Sequence, residues 1–378
     1  MRKVIHFHQP YETGSEISYI KEVFKNKNFQ GVGNFTLKCE KLISNKIKNK
    51  NVLLTDSCTS ALDMVALLIK DNFKDEIIIP SYTFTSTASA FLKAGFKIVF
   101  AEVDPLTAMI DIQDVEKKFT KKTRAVVTVH YGGLVSKIKQ LRSFCNKKNI
   151  LLVEDAAQAF NCFLDNKAIG TFGDFGCYSF HETKNLHAGL SGALVVKNIK
   201  YYNRALSIRE RGTNRRDVIK GLKKKYSWVE IGGSYFPTEL QSAFLFTQLE
   251  HSNDNKKYRK KLFDVYKKNL KKLKERGKIH FNLFEANYKF NYHAFYIMIK
   301  IEKSSERLRK FLLARNINAY IGYVPLHSSK MGKKLGYIRE SLPKTESIAR
   351  TILRLPMHNN LTIKDINYVC KEIHNYFN

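Results

Sequence analysis

The stretch Leu151-Leu152-Val153-Glu154-Asp155-Ala156-Ala157-Gln158 decides the fold. It opens with three apolar residues in succession, which is typical of a strand buried on both faces. Four similar runs precede it, at Val52-Leu53-Leu54-Thr55, Glu76-Ile77-Ile78-Ile79, Lys97-Ile98-Val99-Phe100 and Ala125-Val126-Val127-Thr128-Val129. Helical stretches lie between the runs, at 60–69, 85–92 and 138–146. This alternation predicts an α/β fold in which a mainly parallel sheet is sandwiched by helices.

The rest of the chain continues this sheet and then changes character. Two more strands are predicted at 176–179 and 192–196. After about Leu249 come long basic helices, an isolated strand at 295–299, and helices near 306–315 and 363–377. A chain of 378 residues is long for a single core. We therefore expect a large domain over 1–249 and a smaller C-terminal α+β domain over 250–378.

Asp155 is the first candidate functional residue, because it ends the strand of the opening stretch. A carboxylate buried there is costly unless a cation pairs with it. Lys184 follows 29 positions later, on the loop between the last two strands predicted for this sheet. An acid that keeps a pyridinium nitrogen protonated and a lysine that bonds an aldehyde carbon are what pyridoxal phosphate (PLP) chemistry needs. Gln158, three positions after Asp155, is expected to offer its amide to the phenolic oxygen of that ring.

The turn at 54–60 supplies an independent check on this interpretation. It has the pattern of a strand, a hydroxyl-rich turn and a helix start, which aims free backbone N–H groups at an anion. The expected ligands of the cofactor phosphate are the amides of Cys58 and Thr59 and the hydroxyls of Ser57 and Ser179. Phe84, after the next strand, is expected to stack on the pyridine ring.

Each of these residues also has a structural alternative. Asp155 alone is also typical of a helix N-cap before Ala156. Phe84 alone is typical of a core aromatic residue, and an arbitrary lysine such as Lys184 is usually a solvated surface residue. The combination of acid, lysine and phosphate turn favours the PLP site.

The composition of the chain limits the partners and the cellular location that we expect for the protein. The chain carries 65 Lys+Arg against 34 Asp+Glu, a formal net charge of +31. Much of the excess is lysine on polar helix faces, as in 256–274, so we expect a solvated basic surface and no nucleic-acid partner. Six cysteines without paired-ligand spacing and the lack of an apolar N-terminal segment favour a cytoplasmic protein without disulfides or metal. No apolar run approaches roughly 18 residues, so no membrane span is expected.

Together the motifs resemble the DegT/DnrJ/StrS family of PLP-dependent sugar-nucleotide aminotransferases, and within it the branch that aminates dTDP-4-keto-6-deoxyglucose. The segments that carry the resemblance span nearly the whole chain, at 53–59, 80–84, 129–131, 154–158, 179–185, 209–215, 233–235, 239–241, 324–327 and 354–356. The run His181-Glu182-Thr183-Lys184-Asn185 is the most specific to that branch.

The resemblance implies the aspartate aminotransferase fold (fold type I) and a homodimer whose active sites lie at the subunit interface. It implies L-glutamate as amino donor and a dTDP-linked 4-ketosugar as acceptor. It places Ser234, from the neighbouring chain, at the cofactor phosphate and assigns Tyr323 and His327 to the sugar end of the site. Arg215 lies in a basic loop that could meet the diphosphate, although a solvated loop is an equal alternative.

Two positions depart from the family pattern. Ser234 stands where the family usually has asparagine, and its hydroxyl can still donate one hydrogen bond. The loop after the lysine reads Gly189-Leu190-Ser191-Gly192 where the family commonly has Gly-Glu-Gly-Gly, so a carboxylate near the cofactor loop is missing. Two rival functions stay open: amination at C3 of an isomeric ketosugar, and a PLP-fold protein that binds nucleic acid or a membrane surface through its charge.

Overall fold

The computed structural model describes residues 3–135, 137–281, 284–300 and 304–378. Its strands are β1 (Val52–Thr55), β2 (Glu76–Pro80), β3 (Lys97–Ala101), β4 (Thr123–Val129), β5 (Leu151–Asp155), β6 (Phe163–Leu164), β7 (Lys167–Ala168), β8 (Phe175–Ser179), β9 (Gly192–Val196), β10 (Ile279–Phe281), β11 (Tyr288–Lys289), β12 (Phe295–Ile299), β13 (Tyr320–Ile321) and β14 (Ile352–Leu355). Its helices are α1 (Glu16–Asn26), α2 (Asn34–Ile47), α3 (Cys58–Ile69), α4 (Thr85–Lys93), α5 (Ile112–Lys118), α6 (Ile138–Lys148), α7 (Ile199–Arg209), α8 (Arg215–Ile219), α9 (Glu239–Glu250), α10 (Ser252–Asn269), α11 (Lys271–Glu275), α12 (Ser305–Leu313), α13 (Lys330–Lys334), α14 (Pro343–Thr351) and α15 (Ile363–Phe377).

The main sheet has seven strands in the order β1-β9-β8-β5-β4-β2-β3. Neighbouring strands from β8 to β3 run parallel, whereas β9 is antiparallel to both β1 and β8. Alternate residues of a strand point to opposite faces, so Leu152 and Val153 of β5 enter two different hydrophobic clusters. Burial on both faces explains why these strands are continuously apolar, and the predicted α/β fold is confirmed.

This topology collects the carboxyl ends of six strands at one edge of the sheet. The last residues of β1, β2, β3, β4, β5 and β8 are Thr55, Pro80, Ala101, Val129, Asp155 and Ser179. Open α/β sheets bind their ligands outside this edge. The loops that carry the predicted site residues therefore all start from this edge of the sheet.

The C-terminal part contains a second, antiparallel sheet in the order β10-β12-β14-β13. The strand at 295–299 was expected to be isolated, and this expectation is wrong. It is β12, paired on both sides, and all five of its residues are buried beneath neighbouring helices such as α14. A third, small sheet joins β11, β6 and β7.

The first described residues pack on the C-terminal part of the chain. Ile5 forms a parallel bridge with Ile317, and its N–H donates to the carbonyl of Asn316 at 2.8 Å. This pairing brings Phe7 and His8 to the edge of the main sheet. The domain division at 249/250 stays a prediction, and α9 ends at that point.

Two further observations concern the described residues as a whole. None of the helices in the described ranges is both long and apolar enough to span a membrane. All six cysteines are buried and free.

Candidate active site

A cavity of about 480 Å³ opens at the carboxyl edge of the main sheet. One wall comes from the loops after β1, β2, β5 and β8, and the opposite wall comes from β13, β14 and the N-terminal segment. The predicted residues that line it are Ser57, Cys58, Thr59, Phe84, Asp155, Gln158, Ser179, Lys184 and Tyr323. Residues that are distant in sequence therefore meet in one site.

The turn between β1 and α3 has the geometry of an anion site. Ser57 caps the helix, and its hydroxyl oxygen accepts from the N–H of Ser60 at 3.0 Å. Cys58 and Thr59 are the first two helical residues, so their N–H groups have no partner within the helix and are free to bind an anion. Gly192 at the start of β9 passes directly beneath this turn, and a Cβ there would lie 2.4 Å from the Cys58 nitrogen. Only glycine allows the strand to come so close.

Asp155 lies at the floor of the cavity with little exposure. Its Oδ2 accepts from the Thr87 hydroxyl at 2.7 Å, and its Oδ1 accepts from the N–H of Ala157 at 3.2 Å. Burial raises the pKa of this carboxyl, and the two hydrogen bonds oppose that shift. A turn rather than a helix follows at Ala156, so the N-cap alternative is wrong. Sequence reasoning missed Thr87, since it lies inside an ordinary helix start.

Lys184 lies on the loop between β8 and β9, where it is half-buried in the cavity wall. Its backbone N–H donates to the carbonyl of His181 at 2.8 Å, which fixes a tight turn before it. Burial, with the positive charge of Arg354 as a second cause, lowers the pKa of the Lys184 amine to about 8. A substantial fraction of this amine is therefore neutral near physiological pH, as a nucleophile or base requires.

Gln158 is clamped by two protein groups. Its Oε1 accepts from the N–H of Gly132 at 2.7 Å, and its Nε2 donates to the Tyr323 hydroxyl at 2.9 Å. The amide nitrogen has a second hydrogen, so the expected bond to a ring oxygen stays a prediction. The clamp links the main sheet to the loop after β13.

Phe84 forms an aromatic wall of the cavity together with Tyr323. The Phe84 side chain is 57% exposed, which excludes the core alternative. The two ring centroids lie 6.3 Å apart at a tilt of 52°. An aromatic face that borders an open cavity suits a flat heteroaromatic ring.

These features fit PLP. The start of α3 would hold the phosphate, Asp155 would face the ring nitrogen, Phe84 would cover the ring, and Lys184 would bond the aldehyde carbon. The buried carboxylate supports this assignment, because a pyridinium would offset the cost of its burial.

Known proteins are similar to this chain along nearly its whole length. The profile of the DegT/DnrJ/EryC1/StrS aminotransferase family matches residues 10–374. The chain belongs to this family. It is 26% identical over 375 residues to the GDP-perosamine synthase of Escherichia coli O157:H7, with 99% of each chain covered. It is also 26% identical over 378 residues to the dTDP-4-dehydro-2,3,6-trideoxy-D-glucose 4-aminotransferase of Saccharopolyspora spinosa, covering 98% of this chain and 96% of that one.

A solved structure supports the fold independently. The aminotransferase TlmJ from Streptoalloteichus hindustanus matches with a TM-score of 0.90 at 25% identity, covering 99% of both chains. The predicted family, the fold type I architecture and the PLP cofactor are confirmed, and the protein is a PLP-dependent aminotransferase.

Within this DegT-family site, His327 does not have the expected place. It was expected at the sugar end, but its side chain is fully buried and it does not line the cavity. Its Nδ1 is hydrogen-bonded to the Ser81 hydroxyl at 2.7 Å, and its Nε2 lies 3.1 Å from the carbonyl of Arg339. With both ring nitrogens occupied, His327 holds the loop after β13 against the end of β2. Its expected role at the sugar end of the site stays a prediction.

Two other predicted residues lie outside the cavity of their own chain. Arg215 forms a salt bridge with Glu210 at 3.0 Å, and Ser234 is exposed beside Arg211, whose Nη2 lies 3.4 Å from the Ser234 hydroxyl. This position agrees with the expectation that Ser234 serves the neighbouring chain. Both roles stay predictions.

His130, which lines the cavity, forms a buried pair with Glu154 that the sequence alone did not single out. His130 Nε2 lies 2.9 Å from Glu154, whose carboxylate also accepts from the N–H groups of Gly170 and Gly173. Glu154 thus ties the loop before β8 to the end of β4, next to Asp155. Glu154, the acidic residue next to Asp155 in the stretch 151–158, therefore has a structural role.

Proposed function

We propose that this aminotransferase moves an amino group from L-glutamate to the C4 keto group of dTDP-4-keto-6-deoxy-D-glucose. The product would be a dTDP-4-amino-4,6-dideoxyhexose, with the galactose configuration favoured, for surface glycan biosynthesis in the cytoplasm. The observation that carries the proposal is the convergence of Lys184, Asp155 and the start of α3 on one cavity. The similarity to the Saccharopolyspora enzyme supports the nucleotide and the position, whereas the similarity to the perosamine synthase leaves GDP as a competing nucleotide.

The residues divide the work of the reaction. Bound PLP supplies an electron-withdrawing ring that stabilises negative charge on the reacting carbon. Asp155 keeps the ring nitrogen protonated, and the α3 start anchors the phosphate. The neutral amine of Lys184 removes a proton from the donor carbon and returns one to the sugar carbon in the second half of the reaction.

The cavity also suits the acceptor. Its volume of about 480 Å³ lies within the range of pockets that hold small-molecule ligands, roughly 300–1,000 Å³. Leu190, at the position where the family commonly has glutamate, lines this cavity and is 47% exposed. An apolar side chain there suits the methyl group at C6 of a deoxysugar better than a carboxylate would.

A homodimer is part of the proposal. The segment 211–237 carries exposed apolar side chains, with Trp228 at 74% and Ile231 at 70% exposure. Exposed apolar clusters of this kind mark interaction surfaces. The same segment carries Arg215 and Ser234, which lie outside the cavity of their own chain. A second copy that covers this segment would receive both residues at its active site.

The deciding experiment is product analysis. Purified protein is incubated with PLP, L-glutamate and dTDP-4-keto-6-deoxyglucose, and the product is examined by NMR. A 4-amino sugar with an axial amine supports the full proposal. Amination only of the 3-keto isomer, or only of a GDP-linked ketosugar, contradicts the acceptor but not the aminotransferase.

Sedimentation tests the dimer separately. Wild-type protein is expected to sediment as a dimer, and Trp228→Glu combined with Ile231→Glu is expected to yield monomers. Phe73→Glu, on an exposed loop away from this segment, is the matched control. A wild-type monomer at micromolar concentration contradicts the dimer.

A further inference from the structure

Asn185, the residue after Lys184, is held by the C-terminal part of the chain. Its Nδ2 donates to the backbone carbonyl of Asn291 at 2.7 Å, and its own backbone carbonyl accepts from Asn255 Nδ2 at 2.8 Å. Its Oδ1 lies 2.8 Å from Nδ1 of His293. Asn291 and His293 lie just before β12, and Asn255 lies in α10. These three bonds fix the Lys184 loop against a second part of the fold.

The hydrogen bonds of Asn185 determine which nitrogen of His293 carries the proton. A backbone carbonyl only accepts, so the group of Asn185 that faces Asn291 is its NH2 group. The oxygen of the same side chain then faces His293, and because this oxygen also only accepts, Nδ1 of His293 must donate. Burial, and next the positive charge of Lys184, lower the pKa of His293 well below its usual range. The ring is therefore neutral, and its Nε2 carries a lone pair.

The lone pair of Nε2 is available to the active site. His293 lines the cavity together with Lys184, and both residues also line a smaller chamber of about 20 Å³ that adjoins it. Within the part of the chain that the structure describes, neither Nε2 of His293 nor Nζ of Lys184 forms a hydrogen bond with another protein group. An acceptor without a donor and a donor without an acceptor therefore line the same two cavities.

The charges around His293 indicate that it lies close to the lysine amine. After burial, the charge of Lys184 has the largest effect on the pKa of His293, ahead of that of Arg354. The interaction between charges falls with their separation. We therefore expect the amine to reach Nε2 by rotation of its own side chain.

Two other acceptors near this amine already have partners. Asp155 accepts from two protein groups and faces the position of the ring nitrogen. Gln158 Oε1 accepts from the N–H of Gly132 at 2.7 Å. Of these three acceptors, Nε2 of His293 is the one left for the amine of Lys184.

Lys184 needs such a partner at one stage of the reaction. Once the amino donor has displaced its nitrogen from the aldehyde carbon, the amine ends a flexible four-carbon stem. An acceptor for one N–H group turns the lone pair of the amine in a defined direction. The same acceptor stabilises the ammonium that forms when Lys184 takes a proton, which a cationic neighbour would repel.

We propose that His293 is a positioning residue whose Nε2 accepts a hydrogen bond from the free amine of Lys184 and so aims this amine at the reacting carbon. The inference rests on the proposed function, because Lys184 acts as the base in that reaction. Asn185 contributes by holding the tautomer of His293 in which Nε2 is unprotonated.

Two substitutions of His293 separate this role from a structural one. His293→Asn keeps an N–H near the position of Nδ1, and thus the bond to Asn185, but has no acceptor at the position of Nε2. His293→Gln places its amide oxygen near the position of Nε2 and gives up the bond to Asn185. The PLP form of each variant is mixed with L-glutamate, and the cofactor absorbance is followed through this half-reaction.

His293→Asn is expected to lower the rate constant of the half-reaction about 10- to 150-fold, the contribution of a hydrogen bond to a charged group. The Kd for L-glutamate should stay within about twofold, since the bond forms only after the donor has bound. The isotope effect with α-deuterated L-glutamate should increase, because proton transfer becomes slower than the other steps. His293→Gln should keep most of the wild-type rate. His358→Asn is the matched control, because His358 is similarly buried and lies outside the cavity lining.

Acetylation of Lys184 gives a readout that does not depend on the donor. The apoprotein is loaded with pyridoxamine phosphate, which leaves the amine free, and labelling by acetic anhydride is followed by mass spectrometry as the pH is raised. The pH midpoint of labelling should fall in His293→Asn, because the ammonium loses its acceptor, and should not fall in His293→Gln.

The outcomes distinguish the inference from the proposed function. Wild-type protein that fails to react with L-glutamate contradicts the proposed donor, and the labelling midpoint then decides the inference alone. A His293→Asn variant with the wild-type rate constant or an unchanged midpoint overturns the inference. A His293→Gln variant that is slowed as much as His293→Asn also overturns it, because the effect would then follow the imidazole ring and not an acceptor at Nε2.

Discussion

The hydrogen bond from Thr87 to Asp155 offers the sharpest test of how this site holds its cofactor. Thr87→Val replaces the hydroxyl with a methyl group of nearly the same shape, so the carboxylate loses one of its two protein hydrogen bonds. A hydrogen bond to a charged group contributes about 1.5–3 kcal/mol. The loss falls on the ionised form, so the pKa of Asp155, which burial already raises, rises further.

The expected consequence is weaker cofactor binding. The ring nitrogen of PLP pairs with ionised Asp155, so a carboxyl that prefers its proton must give it up on binding. The same free energy limits the rise in the Kd for PLP to about 10- to 150-fold, and this limit is reached only at a pH where the free carboxyl is protonated, because an ionised carboxylate lacks the Thr87 bond before and after binding alike. Because the pKa is raised, ionised Asp155 prevails only above a higher pH, and the affinity of the variant should recover as pH rises.

Absorbance titration of cofactor-free protein with PLP measures this effect between pH 6 and 9. Thr87→Ser, which keeps the hydroxyl, is the matched control and should bind nearly as wild type does. The reasoning is refuted by a valine variant with wild-type affinity at every pH, or by a serine variant that is equally weak.

Three further predictions concern other parts of the molecule. Lys184→Ala should abolish turnover in the NMR assay while circular dichroism stays native, and a variant with full activity would contradict the assignment. The rate at which wild-type protein captures PLP should rise with pH through about 8, because the pKa of Lys184 is lowered to about 8 and only the neutral amine bonds the aldehyde; a rate that rises only near pH 10 would show an ordinary lysine. Glu239→Ala should lower the free energy of unfolding in urea by at least about 3 kcal/mol, because its carboxylate accepts from the N–H groups of Gly33, Phe35 and Thr36 at the start of α2. The exposed Glu340→Ala is its control, and equal stability of the two variants would contradict the argument.

The main sheet could be predicted from sequence because most of its strands are buried on both faces and contain an unbroken apolar run. The C-terminal sheet could not be predicted from the sequence. β13 has two residues and β10 has three, and their partners lie far along the chain. A strand of that length carries no periodicity, so its pairing is visible only in three dimensions.

In the active site too, some residues could be predicted from the sequence and others could not. Asp155, Lys184 and the turn at Ser57 could be predicted because each stands in a local motif with its own chemistry. The surroundings of His327 could not be predicted, since a resemblance gives only the identity of a residue, and here Ser81 and the Arg339 carbonyl occupy both ring nitrogens. The role of Thr87 could not be predicted from the sequence, because its hydrogen bond to Asp155 depends on the end of β5 lying next to α4.

The passage of Gly192 beneath the phosphate turn also constrains the order of events during synthesis. The turn at Ser57 and α3 leave the ribosome early, whereas β9, which separates β1 from β8 in the sheet, is made only after Lys184. Until β9 inserts, β1 has no partner in the sheet and the anion site has no floor. The nascent chain must therefore carry an unpaired strand through much of its translation, the kind of long-range closure that slows folding and exposes chains to aggregation. PLP can therefore assist the folding of this protein only after β9, the strand that completes the phosphate site, has been synthesised.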